Sequence, residues 1–162
     1  MKVANSYAKG CIHDVTVKPL NKFLDERGWL AELFRGDELD AALMPTMAYV
    51  SMTQPGVARG PHEHKDQTDY FCFIGPSNFK VYLWDARADS PTFAVKQTNY
   101  AGIDSPMMLI VPPGVVHAYR NVGLENGIVF NGPNRLYAGP GKREPVDEIR
   151  HEEEADSPFR LD

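Results

Sequence analysis

Three of the five histidines in this 162-residue chain fall in two short patterns, Gly56-Val-Ala-Arg59-Gly-Pro-His62-Glu-His64 and Pro112-Pro-Gly114-Val-Val-His117-Ala-Tyr-Arg-Asn121. An imidazole changes charge near pH 6.5, so a histidine in a pocket suits proton abstraction at neutral pH, and its ring nitrogens also ligate divalent metals. Residues two apart in an extended segment face the same side, which lets His62 and His64 address one centre. The two patterns point to one site without naming a reaction. His13 and His151 lie outside both and carry no assignment.

The elements that must position these side chains are short strands. The chain has 13 Gly and 13 Pro, and apolar runs broken by these residues read as strands at about residues 14–17, 28–34, 48–53, 68–74, 79–85, 93–99, 107–111, 117–121 and 128–130. Turn clusters such as Gln54-Pro-Gly56, Gly75-Pro-Ser-Asn78 and Pro112-Pro-Gly114 separate them at intervals that suit an all-β barrel or sandwich. Helix is confined to a turn or two between Asp37 and Leu43, with Asp37 as a cap. Tyr82, Trp84, Phe71 and Phe73 read as barrel core rather than as stacking platforms.

At 162 residues the chain is one ordinary domain, 1–162, large enough to bury roughly two thirds of its unfolded surface. From about residue 138 the sequence turns polar and turn-rich, and it is expected to wrap as a tail over the barrel or a partner subunit. Within it, Glu152 to Glu154 read as a solvated charge run. A net charge of −5 and a pI near 5.5 argue against a nucleic-acid partner, which needs clustered Lys and Arg. No stretch approaches the ~20 apolar residues of a membrane span, and the first residues hold no apolar leader core. The expectation is a cytoplasmic protein without a membrane partner. Cys72, inside Tyr70-Phe-Cys-Phe-Ile74, reads as a small buried hydrophobe rather than as a disulfide partner of Cys11.

Written as Gly-x5-His62-x-His64-x4-Asp69-x5-Gly75 and Pro-x-Gly-x2-His117-x3-Asn, the two patterns resemble the signature motifs of the cupins, β-barrels with a pocket at one mouth. Three further segments follow in order: Asp25-Glu-Arg27-Gly-Trp-Leu-Ala-Glu32, Val57-Ala-Arg59-Gly-Pro-His62, and Trp84-Asp85-Ala-Arg87-Ala-Asp-Ser90-Pro91-Thr-Phe93. Over roughly residues 14–137 the chain resembles the dTDP-4-dehydrorhamnose 3,5-epimerase family. The resemblance implies a cupin jelly-roll β-barrel with little helix, a homodimer whose N-terminal strands add to the partner's sheet, and action on a nucleotide-linked 4-keto deoxysugar.

By the same resemblance His62 is the base, His117 and Arg59 are catalytic neighbours, and Arg27 and Glu32 hold the nucleotide portion, with Arg87 a weaker phosphate candidate. Gln67 and Asp69 stand where the family has a Gln-x-Lys pair, Tyr137 lies near a family tyrosine, and all three are expected at the substrate. Phe130 falls where the family carries its acid tyrosine. The implied reaction needs no cofactor. The alternative set His62, His64, Asp69 and His117 matches the ligands with which many cupins hold a divalent metal ion. Three functions follow as expectations: a nucleotide-sugar epimerase or isomerase, a metal-dependent cupin enzyme, and a non-catalytic binder of carbohydrate or nucleotide sugar.

Overall fold

The computed structural model describes residue 4 and residues 6–162. Among the described residues thirteen strands form the fold: β1 (Ala8–Lys9), β2 (Thr16–Pro19), β3 (Phe23–Asp25), β4 (Gly28–Leu30), β5 (Tyr49–Thr53), β6 (Ala58–Glu63), β7 (Asp69–Gly75), β8 (Asn78–Asp85), β9 (Val95–Gly102), β10 (Met107–Val111), β11 (Val115–Asn121), β12 (Gly127–Asn131) and β13 (Ile149–Arg150). One sheet runs β1-β9-β8-β11-β6-β13, the other runs β2-β10-β7-β12-β5, and β3 with β4 makes a separate hairpin. Every pairing is antiparallel except β1 with β9.

Alternation along the strands explains the sandwich. On β7, Phe71 and Phe73 point between the sheets and meet Phe79, Leu83, Leu109 and Val129, while Tyr70 and Cys72 point outward. The outward face of the five-stranded sheet is covered in turn by Leu33, Leu39 and Leu43. On β8, Tyr82 and Trp84 point out of the six-stranded sheet and pack under Phe159. Both faces of the central strands are therefore buried, which is why they read as nearly unbroken apolar runs. Each large apolar side chain sealed this way contributes roughly 1.5–3 kcal/mol.

The segment expected to be helical holds one 3-10 turn, Ala41–Leu43, capped by the Asp40 side chain on the Ala42 N–H rather than by Asp37. Among the described residues no helix is long and apolar enough to cross a membrane. Both cysteines are free, Cys11 exposed and Cys72 buried. The tail folds back on its own chain. Its strand β13 pairs with β6, and Phe159 closes the outer cluster.

Candidate functional site

The site grows from the pairing of β6 with β11, which sets His62 opposite His117 and Tyr119 opposite Arg59. Between these pairs two residues on β6, Gly60 and Pro61, stand against one on β11, Ala118, and the register shifts. An extra residue of this kind re-aims side chains. It turns Arg59 and His62 to the same side although they are an odd number of residues apart, so Arg59 reaches the cleft through this irregularity rather than by alternation with Pro61. Gly60 sits within it at φ +80°, where a Cβ would lie 2.5 Å from the carbonyl oxygen of His117.

The cleft measures about 1240 Å³ and is walled by both sheets and by the returning tail, with His62, His64, Arg59, Gln67, Tyr49 and Tyr137 among its lining. His62 and His117 meet edge to face with ring centroids 4.5 Å apart, and His64 is 5.8 Å from His117. His62 is open to the cleft. His117 is only 3% exposed and packs beneath, its Nδ1 hydrogen donated to the Val115 carbonyl at 3.1 Å. His117 thus supports the site from below, whereas His62 lines it.

Asp69 is buried as well, and so belongs to the floor of the site rather than to its substrate surface. Its Oδ2 lies 3.1 Å from His64 Nε2 and 3.1 Å from His117 Nε2. Its Oδ1 accepts from Gln67 Nε2 at 2.9 Å and Asn131 Nδ2 at 3.0 Å. Burial alone would raise the Asp69 carboxyl, but His117 and His64 outweigh it and hold the group well below the usual carboxylate range. The consequence for His64 is opposite in sign: burial would lower it, yet Asp69, joined by the Asp147 carbonyl that accepts from Nδ1, carries it up to about 9. His62 has no such partner at contact distance. Glu148 Oε1 stands 3.8 Å from its Nδ1, and burial, with His117 beside it, pushes His62 down to about 2. At neutral pH its imidazole is uncharged, and the same burial makes it a weaker base than a free imidazole.

Arg59 is fixed at the cleft rim by its Nε on Thr53 Oγ1 at 3.0 Å and an Nη on the Met52 carbonyl at 2.8 Å. Arg27 and Glu32 are not brought to the histidines within one chain. Arg27 sits in the β3–β4 turn, paired with Asp25, and Glu32 lines a separate recess of about 330 Å³ and meets Arg35. Arg87 is spent on structure: it donates to Asp85 at 2.8 Å and to the His13 carbonyl at 2.7 Å. Phe130 does not face the cleft either. It packs on the outer cluster of Tyr70, Cys72, Met108 and Ile110, while its neighbours Val129 and Asn131 point inward.

Five participants carried no sequence signal. Glu148 and Asp147 come from the polar tail; Asp147 accepts the backbone N–H groups of Lys65, Asp66 and Gln67, each at 2.9 Å. Tyr49 and Asn131 are joined at 2.8 Å. His151, unassigned from sequence, bonds Glu63 at 2.9 Å on the outer face and anchors the tail that delivers Glu148.

A sequence profile described as dTDP-4-dehydrorhamnose 3,5-epimerase matches residues 9–138. The chain belongs to this family. The probable low-salt glycan biosynthesis epimerase Agl13 of Haloferax volcanii is 38% identical over 128 residues, covering 78% of this chain and 81% of that protein. The spore coat polysaccharide biosynthesis protein SpsL of Bacillus subtilis is 40% identical over 114 residues, covering 69% and 73%. Among solved structures, a dTDP sugar isomerase from Desulfovibrio desulfuricans G20 superposes with a TM-score of 0.81 at 19% identity, over 93% of this chain and 91% of that one. The 3'-monoepimerase ChmJ of Streptomyces bikiniensis, in complex with dTDP-quinovose, gives 0.73 at 19% identity, over 88% and 72%. At such identities the superpositions speak for the fold, an all-β cupin jelly roll shared with this epimerase family.

Proposed function

We propose that this chain epimerises or isomerises a nucleotide-linked 4-keto deoxysugar, with His62 as the base that removes a proton next to the ketone. The observation that carries the reading is geometric: the His62 imidazole lines a large cleft, with Glu148 at 3.8 Å and Arg59 on the same side. A carbon acid next to a carbonyl yields its proton only when a base reaches it and the developing enolate oxygen meets a donor or a positive charge. His62 supplies the first and Arg59 the second. Family membership and the sugar-polymer roles named for the two relatives support the substrate class. The test is uptake of solvent deuterium, followed by NMR, into a dTDP-linked 4-keto-6-deoxy sugar. Uptake is expected, and its absence with every such substrate leaves the metal-dependent and binding readings.

The reading includes a homodimer. The β3–β4 hairpin exposes Phe23, Leu24, Trp29 and Leu30, with Leu24 79% exposed, and strand β5 is a free sheet edge carrying exposed Val50 and Met52. Apolar hairpins and open edges of this kind pair with other chains, and a partner's hairpin would bring Arg27 to a cleft that its own chain's Arg27 does not reach.

A second reading has its own observation. Ligand atoms of His62, His64 and His117 lie within 4.8 Å of one another, and two buried atoms among this group, Asp69 Oδ2 and His117 Nε2, lack an aligned hydrogen-bond partner. Ligands about 2.1 Å from one ion at tetrahedral or octahedral angles stand roughly 3 Å apart, as Asp69 Oδ2 does from both Nε2 atoms. These residues fit a divalent ion, which would polarise the substrate ketone as a Lewis acid. Metal content of the purified protein, with exchange measured before and after chelation, separates the two readings.

A further inference from the structure

Removing a proton from one face of a sugar inverts the carbon only if another proton arrives from the opposite face. His62 is on the six-stranded sheet. Phe130, whose place in the sequence suggested the opposing position, packs outside the barrel. The remaining candidates are the three tyrosines that line the cleft: Tyr49, Tyr119 and Tyr137.

Tyr119 shares β11 with His117, so it stands on the same sheet as the base, and its hydroxyl is engaged with Ser51 Oγ at 2.8 Å. Tyr137 belongs to the returning tail, where its backbone N–H meets Met47 Sδ at 3.1 Å. Tyr49 is different. It lies on β5 in the five-stranded sheet, across the cleft from β6, and its register partner is Asn131.

The Asn131 amide cannot be turned around, because its Oδ1 accepts the Tyr70 N–H at 3.2 Å while its Nδ2 serves both Asp69 and Tyr49. The Tyr49 oxygen therefore receives a hydrogen bond. A phenol both donates and accepts, and no described residue accepts the Tyr49 hydrogen, which is left for a group in the cleft. Burial, followed by the charge of Asp69, pushes Tyr49 up to about 12 and keeps it protonated at neutral pH.

We propose that Tyr49 is the acid that returns a proton to the enolate on the face opposite His62, an assignment that rests on the epimerase reading. His62 takes the proton from carbon, and the C–H electron pair moves into the ring as the ketone becomes an enolate. The enolate then takes the Tyr49 proton at the same carbon and collapses to the ketone. Water reprotonates the Tyr49 oxygen and receives the proton held by His62. Tyr49 is 47% exposed, so solvent reaches it.

The experiment is Tyr49→Phe, assayed in deuterium oxide with a dTDP-linked 4-keto-6-deoxy sugar, with thermal melting to confirm folding. Inversion is expected to fall by ~10² to 10⁴, while deuterium still enters recovered substrate of unchanged configuration. A role limited to holding Asn131 and Asp69 would lower exchange and inversion together, and that result overturns the proposal. Inversion at the unmodified rate overturns it too, as does the same selective loss in Tyr137→Phe with Tyr49→Phe unaffected. Absence of both exchange and inversion in the unaltered protein removes the epimerase reading itself, and the assignment with it.

Discussion

His117 and Asp69 form a buried contact of 3.1 Å beneath the cleft, and neither is open to solvent. The carboxylate also holds His64, so one anion fixes two imidazoles and leaves His62 as the imidazole without a contacting carboxylate. This division gives the three histidines different work although the sequence presents them alike.

Removing that anion should be costly. Asp69→Ala leaves a buried charged imidazole without its partner, and truncating one member of a buried pair typically costs about 3–5 kcal/mol. Asp25→Ala, which breaks the exposed pair with Arg27, should cost no more than ~1 kcal/mol. Urea denaturation of both variants checks the contrast, and equal losses would contradict the structural role of Asp69.

The pH dependence of stability has a definite sign. His64 rises from its ordinary 6.5 to about 9 in the folded protein, so the fold holds its proton more tightly than the unfolded chain does. The resulting stability is complete below about pH 6.5 and is lost as pH climbs through 9, with a slope of at most ~1.4 kcal/mol per pH unit. Asp69→Asn should flatten this decline. Denaturation midpoints between pH 6 and 10 test it, and a native protein equally stable across that range would show that His64 is not held as its surroundings imply.

Two glycines on the same approach to the site should respond differently. At Gly60 an added Cβ would meet the His117 carbonyl at 2.5 Å, whereas at Gly56, φ +76°, it meets nothing within 4 Å. Gly56→Ala carries only the cost of a left-handed conformation, ~1–2 kcal/mol. Gly60→Ala adds a backbone clash that must displace β6 or β11, so it should lose more stability than Gly56→Ala and any substrate exchange with it.

The hairpin prediction concerns assembly. Leu24→Asp together with Trp29→Asp places charge on a surface proposed to be covered by a second copy, and light scattering should then report monomers with the far-ultraviolet spectrum unchanged. Dimers of undiminished stability would place the interface elsewhere.

The inner strands were legible because burial on both faces makes them apolar runs; β10 falls on residues 107–111 as expected. Strand β6, which carries His62, was hidden, since Gly60-Pro61 in its middle has the composition of a turn. That Phe130 packs outside the barrel was not legible either, because a register shift between Ile128 and Val129 interrupts the alternation, and one residue of slip moves a side chain to the other face. Arg27 and Glu32 carry the family motif, but motif order does not say whether they stand near the histidines of the same chain, and within one chain they do not. Glu148 and His151 were invisible for another reason. Their partners are distant in sequence, with Glu63 and His151 88 residues apart, and a polar tail offers no periodicity from which such a contact could be read.

The central claim is that His62 is the base, and the most direct measurement compares solvent deuterium exchange into a dTDP-linked 4-keto-6-deoxy sugar by the unaltered protein and by His62→Asn. Asn keeps a polar side chain of similar reach but cannot accept the proton, so exchange should fall by ~10² to 10⁴ with folding intact. Exchange by His62→Asn at the rate of the unaltered protein would contradict the account.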